Sequence, residues 1–272
     1  MKTTRNIYYV SSNTGLLAKD TGKSITSQFT DIVFNEEVVP FIRTEEDALK
    51  TIDEIIAKPS EFPPIIFSTI FNPALNKILD HDKVIFFNIC EPYLAQLEII
   101  FKKTATRTSG TSRNLDKDIM NSRVDAIHYT IAHDDGTALK EYQEADLIIV
   151  GVSRAGKTPI SVFLATQLGI KTANYPLVEN NLAHCFIPEE ILKARDKVIG
   201  LSISPEVLHS FRQQRYPDSS YARIETCKRE LLQARRIFEK YRFPVVYSDG
   251  RSIEETATQV AKELKKEWNP VF

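Results

Sequence analysis

The chain has few cysteines and no long apolar run, and both shortages exclude classes of protein. Its three cysteines, Cys90, Cys185 and Cys227, are far apart and odd in number. They form neither a metal-binding pattern nor a disulfide framework, which favours a reducing cytoplasm. No apolar run approaches the roughly 20 residues of a membrane-spanning helix. The first residues lead directly into an apolar segment, so we expect no signal peptide.

The chain also lacks an excess of either charge. It carries 35 Lys and Arg against 36 Asp and Glu, which leaves a net charge of −1. Such a balance gives no overall field that attracts nucleic acid or a membrane surface. With 272 residues, 42% of them hydrophobic, the chain can build the core of one large or two medium domains. We therefore expect a cytoplasmic protein whose partners are neither nucleic acids nor membranes.

The most informative segment is a glycine loop that follows an apolar run. Residues 147–150 are Leu-Ile-Ile-Val, as in a strand buried on both faces. Residues 151–158 then read Gly-Val-Ser-Arg-Ala-Gly-Lys-Thr, a complete G-x-x-x-x-G-K-T pattern. Loops of this kind wrap backbone N–H groups around phosphate oxygens. Pro159 suits the first turn of the following helix. The predicted nucleotide-binding residues are Gly151, Val152, Ser153, Arg154, Ala155, Gly156, Lys157 and Thr158.

Three side chains of this loop have predicted roles in phosphate chemistry. Lys157 is expected to reach the terminal phosphate oxygens as a catalytic residue, and Thr158 to bind Mg²⁺ through its hydroxyl. Arg154 either adds a guanidinium to the phosphate charge or faces solvent, and the sequence leaves both open. The competing interpretation of the whole loop is a tight strand–helix turn whose glycines serve packing only. A full match in the right context favours nucleotide binding.

The acidic residue that usually completes a P-loop is missing from its ordinary place. Many P-loop NTPases have a second apolar strand that ends in Asp, which holds Mg²⁺ from beyond the Thr. Here the apolar run at 198–203 is followed by Ser204, and the run at 245–247 reaches Asp249 only after Ser248. The second acidic group is therefore displaced or comes from elsewhere, which makes ordinary ATPase or GTPase chemistry less favoured.

The best other carboxylates are Asp134 and Asp135, which stand between His133 and Gly136. Either Asp is a candidate to take the proton from an attacking hydroxyl or to bind Mg²⁺. The alternative is an Asp-Asp-Gly turn without a catalytic role, a common local structure. Their position shortly before the phosphate-loop strand favours the catalytic interpretation.

The rest of the chain predicts an α/β fold with mostly parallel sheets flanked by helices. Short apolar runs at 7–10, 64–67 and 84–87 and an extended segment at 36–42 alternate with helical patterns, as in βαβ units. A polar, small-residue segment at 104–113 indicates a domain boundary. We predict an N-terminal α/β domain over residues 1–108. Residues 109–272 form the predicted C-terminal catalytic domain, which contains the P-loop.

One cluster of basic residues has two interpretations. Arg212, Arg215 and Arg223 surround a Tyr-Pro-Asp-Ser-Ser-Tyr segment at 216–221. The arginines either dock an anionic ligand or a phosphorylated partner, or belong to an exposed helix–turn–helix surface.

Several of these motifs resemble the bacterial phosphoenolpyruvate synthase regulatory proteins, relatives of the pyruvate, phosphate dikinase regulatory proteins. The resemblance is carried by residues 151–159 together with Gly-Ile-Lys-Thr-Ala-Asn-Tyr-Pro at 169–176. Residues 133–136, 200–206 and 252–255 also fit. Ser12 and Asn13 stand where an Asp is expected, and Val207 stands where an Arg is expected. The resemblance covers the whole chain and is dense from about residue 120 onward.

The resemblance implies a pair of opposed reactions on a protein. A member of this family uses ADP to phosphorylate a threonine on phosphoenolpyruvate synthase, which inactivates that enzyme. It also removes the phosphate with inorganic phosphate as acceptor and pyrophosphate as product. ADP, inorganic phosphate and Mg²⁺ are thus the expected small ligands, and phosphoenolpyruvate synthase is the expected partner.

Other functions stay open from the sequence. Pyruvate, phosphate dikinase is an alternative target. The P-loop alone also fits a small-molecule kinase or a non-catalytic nucleotide sensor. The oligomeric state is not fixed, and a homodimer is among the states that the sequence allows.

Overall fold

A computed structural model describes residues 3–109 and 117–264. The chain divides into two compact units, Met1–Asn114 and Leu115–Phe272. Each unit contains a four-stranded sheet in which every strand pairs in parallel with its neighbours. The prediction of an α/β fold with parallel sheets and flanking helices is confirmed. The boundary between residues 108 and 109 stays a prediction, because residues 110–116 lie outside the described part of the chain.

The N-terminal unit alternates strands and helices, and its sheet has the order β2-β1-β3-β4. Helix α2 starts with a capping box, in which the Thr44 hydroxyl accepts from the Asp47 N–H and the Asp47 carboxylate accepts from the Thr44 N–H. Its apolar side pairs Ala48 and Ile52 with Ile66 of β3 in one core. The elements are β1 (Thr3–Val10), α1 (Leu16–Thr26), β2 (Ile32–Val39), α2 (Glu45–Ala57), β3 (Ile65–Ser68), α3 (Pro73–Leu79), β4 (Ile85–Asn88) and α4 (Glu91–Phe101).

The C-terminal unit contains the predicted phosphate loop, and its sheet has the order β6-β5-β7-β8. All six residues of β5 are buried, as the apolar run predicts. The elements are α5 (Lys117–Ala132), β5 (Leu147–Val152), α6 (Lys157–Leu168), β6 (Thr172–Leu177), α7 (Glu179–His184), α8 (Glu189–Leu192), β7 (Val198–Ser202), α9 (Pro205–Arg215), α10 (Ile224–Tyr241), β8 (Val245–Tyr247) and α11 (Ile253–Glu263).

Strand β5 is an interior strand of the sheet in the C-terminal unit. Helix α6 packs against α5 and α11, and α10 packs against α9 and β5. Strand β5 pairs with β6 on one side and with β7 on the other. The chain therefore leaves β5 at the point where the strand order reverses. In open α/β sheets, ligands bind in the crevice outside the carboxyl ends of the strands at such a point.

No helix in the described ranges is both long enough and apolar enough to cross a membrane.

Candidate active site

The predicted phosphate loop, residues 151–158, joins β5 to α6, in the order strand, loop, helix that the sequence predicts. Gly156 precedes the helix with φ 93°, a left-handed conformation that glycine adopts at little cost. At Gly151, an added Cβ would lie 2.6 Å from the carbonyl oxygen of Leu201 on the neighbouring strand. Gly151 thus serves the close packing of β5 on β7. Packing accounts for this glycine, so the case for a ligand depends on the side chains around it.

Lys157, the first residue of α6, is nearly buried at the carboxyl end of β5. Only 7% of it is exposed, and its Nζ donates a hydrogen bond to the Val152 carbonyl at 3.1 Å. Burial lowers the pKa of Lys157 to about 8, while Asp135 and Asp134 oppose that shift. An ammonium group has three donors, so this contact leaves donors for an anion. The start of α6 adds N–H groups that no carbonyl of the same helix can satisfy.

The carboxylate of Asp134 meets the hydroxyl of Thr158. The Thr158 Oγ1 donates to the two carboxylate oxygens at 3.0 and 3.1 Å. The Nδ2 of Asn174, a fully buried residue of β6, donates to the same carboxylate at 2.5 Å and to the Ser161 Oγ at 2.9 Å. Two donors from different elements therefore fix Asp134 at the first turn of α6.

The backbone of β6 brings the Asp-Asp segment to this position. Asn174 donates its N–H to the carbonyl of His133, and its own carbonyl accepts from the N–H of Gly136, both at 2.9 Å. The Tyr142 hydroxyl donates to the same Asn174 carbonyl at 2.7 Å. Residues 134–137 form a turn, in which the N–H of Thr137 donates to the Asp134 carbonyl at 3.2 Å, and the bonds to Asn174 hold this turn at the outer edge of β6. The Asp-Asp-Gly turn that the sequence allows is therefore present, and its contacts with β6 hold both aspartates beside α6.

His133 anchors the segment from the other side. Its ring is buried and stacks on Tyr129, with centroids 3.8 Å apart. One ring nitrogen lies 2.7 Å from the Tyr129 carbonyl oxygen, and the other lies 3.1 Å from a carboxylate oxygen of Glu141. These contacts give His133 a structural role and keep it out of the cleft.

The two candidate carboxylates for the second acidic group, Asp249 and Asp134, lie in different places. Asp249, the nearest imitation in the sequence, accepts a hydrogen bond from the Ser204 N–H at 2.6 Å. Asp249 therefore binds the backbone of the residue that precedes α9. The carboxylate that faces Thr158 is Asp134, which reaches α6 from the segment before β5.

Lys157, Thr158 and the two aspartates line one open cleft of about 710 Å³. That volume lies within the usual range of roughly 300–1,000 Å³ for small-ligand sites. Phosphate-loop residues and the two aspartates form one side, and residues at the end of α9 form the other. The lining residues are Asp134, Asp135, Ser153, Arg154, Gly156, Lys157, Thr158, Pro159, Phe211, Gln214, Arg215 and Tyr216.

A second cavity of about 740 Å³ lies between α10 and the strands β7 and β8. Leu231, Phe238 and Tyr247 are among the residues that line it, and it contains no residue of the phosphate loop and neither aspartate. Chemistry rather than volume therefore identifies the cleft beside Lys157 as the candidate active site.

The three arginines of the cluster differ in exposure, and the interpretation that they dock an anionic ligand or a phosphorylated partner is wrong for Arg212. That residue is fully buried and donates to Glu230 at 2.6 Å. Arg215 is exposed and lines the cleft. Arg223 is exposed as the residue before α10. The sequence did not distinguish the three, because two of them belong to the same polar helix, α9.

A divalent cation in this cleft would need oxygens from a bound phosphate in addition to those of the protein. Within residues 3–109 and 117–264, no group of three or more His, Cys, Asp or Glu side chains could hold a metal ion. Mg²⁺ usually keeps several waters and takes one or two protein oxygens together with substrate phosphates. Thr158 and Asp134 supply protein oxygens of that kind.

Comparison with known proteins identifies the family of the chain. A family model described as kinase/pyrophosphorylase matches residues 7–261. The chain belongs to the kinase/pyrophosphorylase family. The match includes strands and helices of both compact units.

Several relatives within this family are similar over nearly their full length. A protein of Desulfotalea psychrophila is 67% identical over 272 residues, which is all of both chains. A protein of Laribacter hongkongensis is 37% identical, over 94% of this chain and 95% of its own. One of Alkalilimnicola ehrlichii is 34% identical, over 97% of each. All three carry the name "Putative phosphoenolpyruvate synthase regulatory protein".

Proposed function

We propose that the chain regulates phosphoenolpyruvate synthase through two opposed reactions. With ADP it phosphorylates a threonine of the synthase, which inactivates the enzyme. With inorganic phosphate it removes that phosphoryl group and forms pyrophosphate, which restores activity. The names of the relatives support this target. The kinase/pyrophosphorylase description supports the pairing of the two reactions.

The observation that carries the proposal is the meeting of Lys157, Thr158 and Asp134 in one cleft. Phosphoryl transfer needs in-line positioning and neutralisation of phosphate charge more than it needs covalent chemistry by the protein. A buried ammonium and the start of a helix supply positive charge.

One phosphate site serves both directions in this proposal. In the forward step, the threonine hydroxyl attacks the β-phosphorus of ADP, the bond to the bridging oxygen breaks, and AMP leaves. In the reverse step, inorganic phosphate attacks phosphothreonine, the threonine oxygen leaves and takes up a proton, and pyrophosphate forms. Free phosphate then occupies the position that the α-phosphate of ADP takes in the forward step.

The two aspartates have different roles in this proposal, one in binding Mg²⁺ and the other in proton transfer. Thr158 and Asn174 already hold the Asp134 carboxylate, so we assign Asp134 to Mg²⁺ together with the Thr158 hydroxyl. Asp135 is exposed on the wall of the same cleft. We assign it as the base that accepts the proton of the threonine hydroxyl.

Mass spectrometry of the synthase tests the proposal. We expect phosphothreonine on the synthase after incubation with ADP and Mg²⁺, and the incubation is repeated in the presence of phosphoenolpyruvate, the compound that gives the enzyme its name. Lys157→Ala should abolish both the gain of phosphate and its removal by inorganic phosphate. Lys262→Ala is the matched control, because Lys262 is an exposed lysine of the same unit. Phosphate removal at the normal rate by Lys157→Ala would contradict the shared site.

The same experiment separates the alternatives. Pyruvate, phosphate dikinase is incubated in parallel, and phosphothreonine on it alone would move the proposal to that target. A small-molecule kinase would bind ATP more tightly than ADP. A nucleotide sensor would bind ADP and leave both candidate targets without phosphothreonine.

A further inference from the structure

The start of the phosphate loop is a β-turn with an unusual residue in it. The N–H of Ala155 donates to the carbonyl of Val152 at 3.3 Å, which closes a turn over residues 152–155. Of the two central residues, Arg154 has φ 72° and Ser153 has no positive φ. This combination is a type II turn, whose third position favours glycine. A side chain there costs free energy, so another contact must hold the turn in this form.

Type I and type II turns differ in the direction of their central peptide. In this loop that peptide joins Ser153 to Arg154. A trans peptide is planar, and its C=O and N–H point in opposite directions. The direction of the Ser153 carbonyl therefore decides whether the cleft receives the N–H of Arg154 or a carbonyl oxygen. A phosphate needs the N–H.

The buried side chain of Arg212 binds the Ser153 carbonyl. Its Nη2 donates to that oxygen at 3.1 Å and to Glu230 at 2.6 Å. Its Nη1 donates to the Tyr221 carbonyl at 3.1 Å, and its guanidinium lies 3.9 Å from the centre of the Tyr221 ring. Tyr221 and Glu230, which both lie outside the loop, thus fix the guanidinium and leave it little freedom to follow the loop.

We propose that Arg212 is a positioning residue that holds the Ser153–Arg154 peptide with its N–H directed into the cleft. Ser153 and Arg154 line the cleft, whereas Arg212 is fully buried and does not. The N–H opposite the bonded carbonyl therefore points to the ligand side. Without Arg212 the turn relaxes to type I, and a carbonyl oxygen faces the phosphate. The inference rests on the proposed function, because it takes the ligand to be a nucleoside diphosphate.

Stability alone is a weak explanation for this arrangement. Burying an ion pair often costs as much free energy as the pair returns, and apolar replacements are frequently as stable. The Nε of Arg212 is buried without a hydrogen-bond partner, a further cost. The contact with the phosphate loop supplies a functional reason for these costs.

The test compares one substitution in two backgrounds. Arg212→Lys keeps a positive charge beside Glu230 but lacks the planar fork that reaches Ser153, Glu230 and Tyr221 together. We expect it to weaken ADP binding, measured by calorimetry, by about tenfold, the usual effect of one lost charge-assisted contact. In an Arg154→Gly background we expect the same substitution to cost about twofold, because glycine adopts the left-handed conformation unaided.

Equal losses in the two backgrounds, or no loss on Arg212→Lys in a folded protein, would overturn the inference. A merely structural role predicts a lower melting temperature and equal losses in both backgrounds. If Arg212→Lys does not fold, Glu230→Gln replaces it, since an amide oxygen still accepts from Arg212 but holds it less strongly. We then expect a smaller loss that Arg154→Gly again suppresses, and an unsuppressed loss counts against the role.

A crystal structure of Arg212→Lys separates this inference from the proposed function. We expect the Ser153 carbonyl to turn toward the cleft in the variant. A carbonyl that keeps its direction contradicts the role of Arg212 whether or not ADP binds. Failure of the unchanged protein to bind ADP would instead remove the proposed function.

Discussion

At the scale of single residues, the protonation of Lys157 links the fold to ligand binding. Burial lowers its pKa to about 8, so Lys157 of the free protein loses its proton progressively as the pH rises through that value. A bound diphosphate places negative charge beside the ammonium and raises this pKa again. Between the pKa of the free protein and that of the complex, binding must therefore take up a proton.

The first prediction follows from this uptake of a proton on binding. ADP affinity should be nearly constant from pH 7 to about 8 and then fall about tenfold per pH unit, until the pKa of the complex is reached. The terminal phosphate of ADP is ionised throughout this range. Calorimetry at about pH 9 in buffers of different ionisation enthalpy should detect close to one proton taken up. A pH-independent affinity would contradict a protonated Lys157 at the phosphate.

The second prediction separates the two aspartates. Asp135→Asn should slow ADP-driven transfer by about 100-fold or more and leave ADP affinity nearly unchanged, because a general base acts in the chemical step. Asp134→Asn should weaken Mg²⁺-dependent ADP binding, because Asp134 faces Thr158. Single-turnover rates and ADP affinities of both variants measure this division. The reverse pattern would exchange the roles.

Residue identities alone did not reveal the partners of Asp134. The Asn174 contact depends on β6 pairing its outer edge with the His133–Gly136 segment, which is a tertiary contact between distant parts of the chain. The Ala-Asn-Tyr-Pro motif marked Asn174 as notable but gave it no role. Arg212 was misjudged for a related reason. Its charge predicts exposure, and its burial depends on Glu230 and Tyr221 from later elements.

At the scale of elements, the strand–loop–helix unit was predictable because its signals are local. An apolar run, two spaced glycines and a proline at the start of the helix fix β5, the loop and α6. Strand ends were less predictable. We expected an extended segment at 36–42, whereas β2 spans Ile32–Val39. Its ends match those of β1, which pairs from Thr3↔Ile32 to Val10↔Val39. Pairing between strands, rather than local propensity, sets these ends.

The third prediction concerns the contact between β5 and β7. Gly151→Ala should lower the free energy of unfolding by about 1–3 kcal/mol, because its Cβ would lie 2.6 Å from the Leu201 carbonyl oxygen and two paired backbones must separate. Gly250→Ala is the control. Gly250, unlike Gly151, has a positive φ, of 66°, and a Cβ there meets nothing within 4 Å, so its cost should be that of backbone strain alone, about 1 kcal/mol. Chemical denaturation measures both, and equal losses would remove the steric argument.

At the scale of the whole molecule, the proposed chemistry lies in the C-terminal unit, while the family match runs through both units. The N-terminal unit has its own apolar cores on its own parallel sheet. The sequence predicted the α/β class of the chain because alternating apolar runs recur along it. It could not assign separate tasks to the two units, because tasks depend on what each surface binds.

We propose that one cleft of the whole molecule passes the outer phosphoryl group of ADP to another protein. The most direct measurement follows a radioactive label from ADP carrying ³²P in its β-phosphate, incubated with Mg²⁺, phosphoenolpyruvate synthase and its substrate. We predict label on a threonine of the synthase, its release as pyrophosphate when unlabelled inorganic phosphate is added, and neither event with Lys157→Ala. A synthase that stays unlabelled by ADP under these conditions, with the unchanged protein correctly folded, would contradict the account.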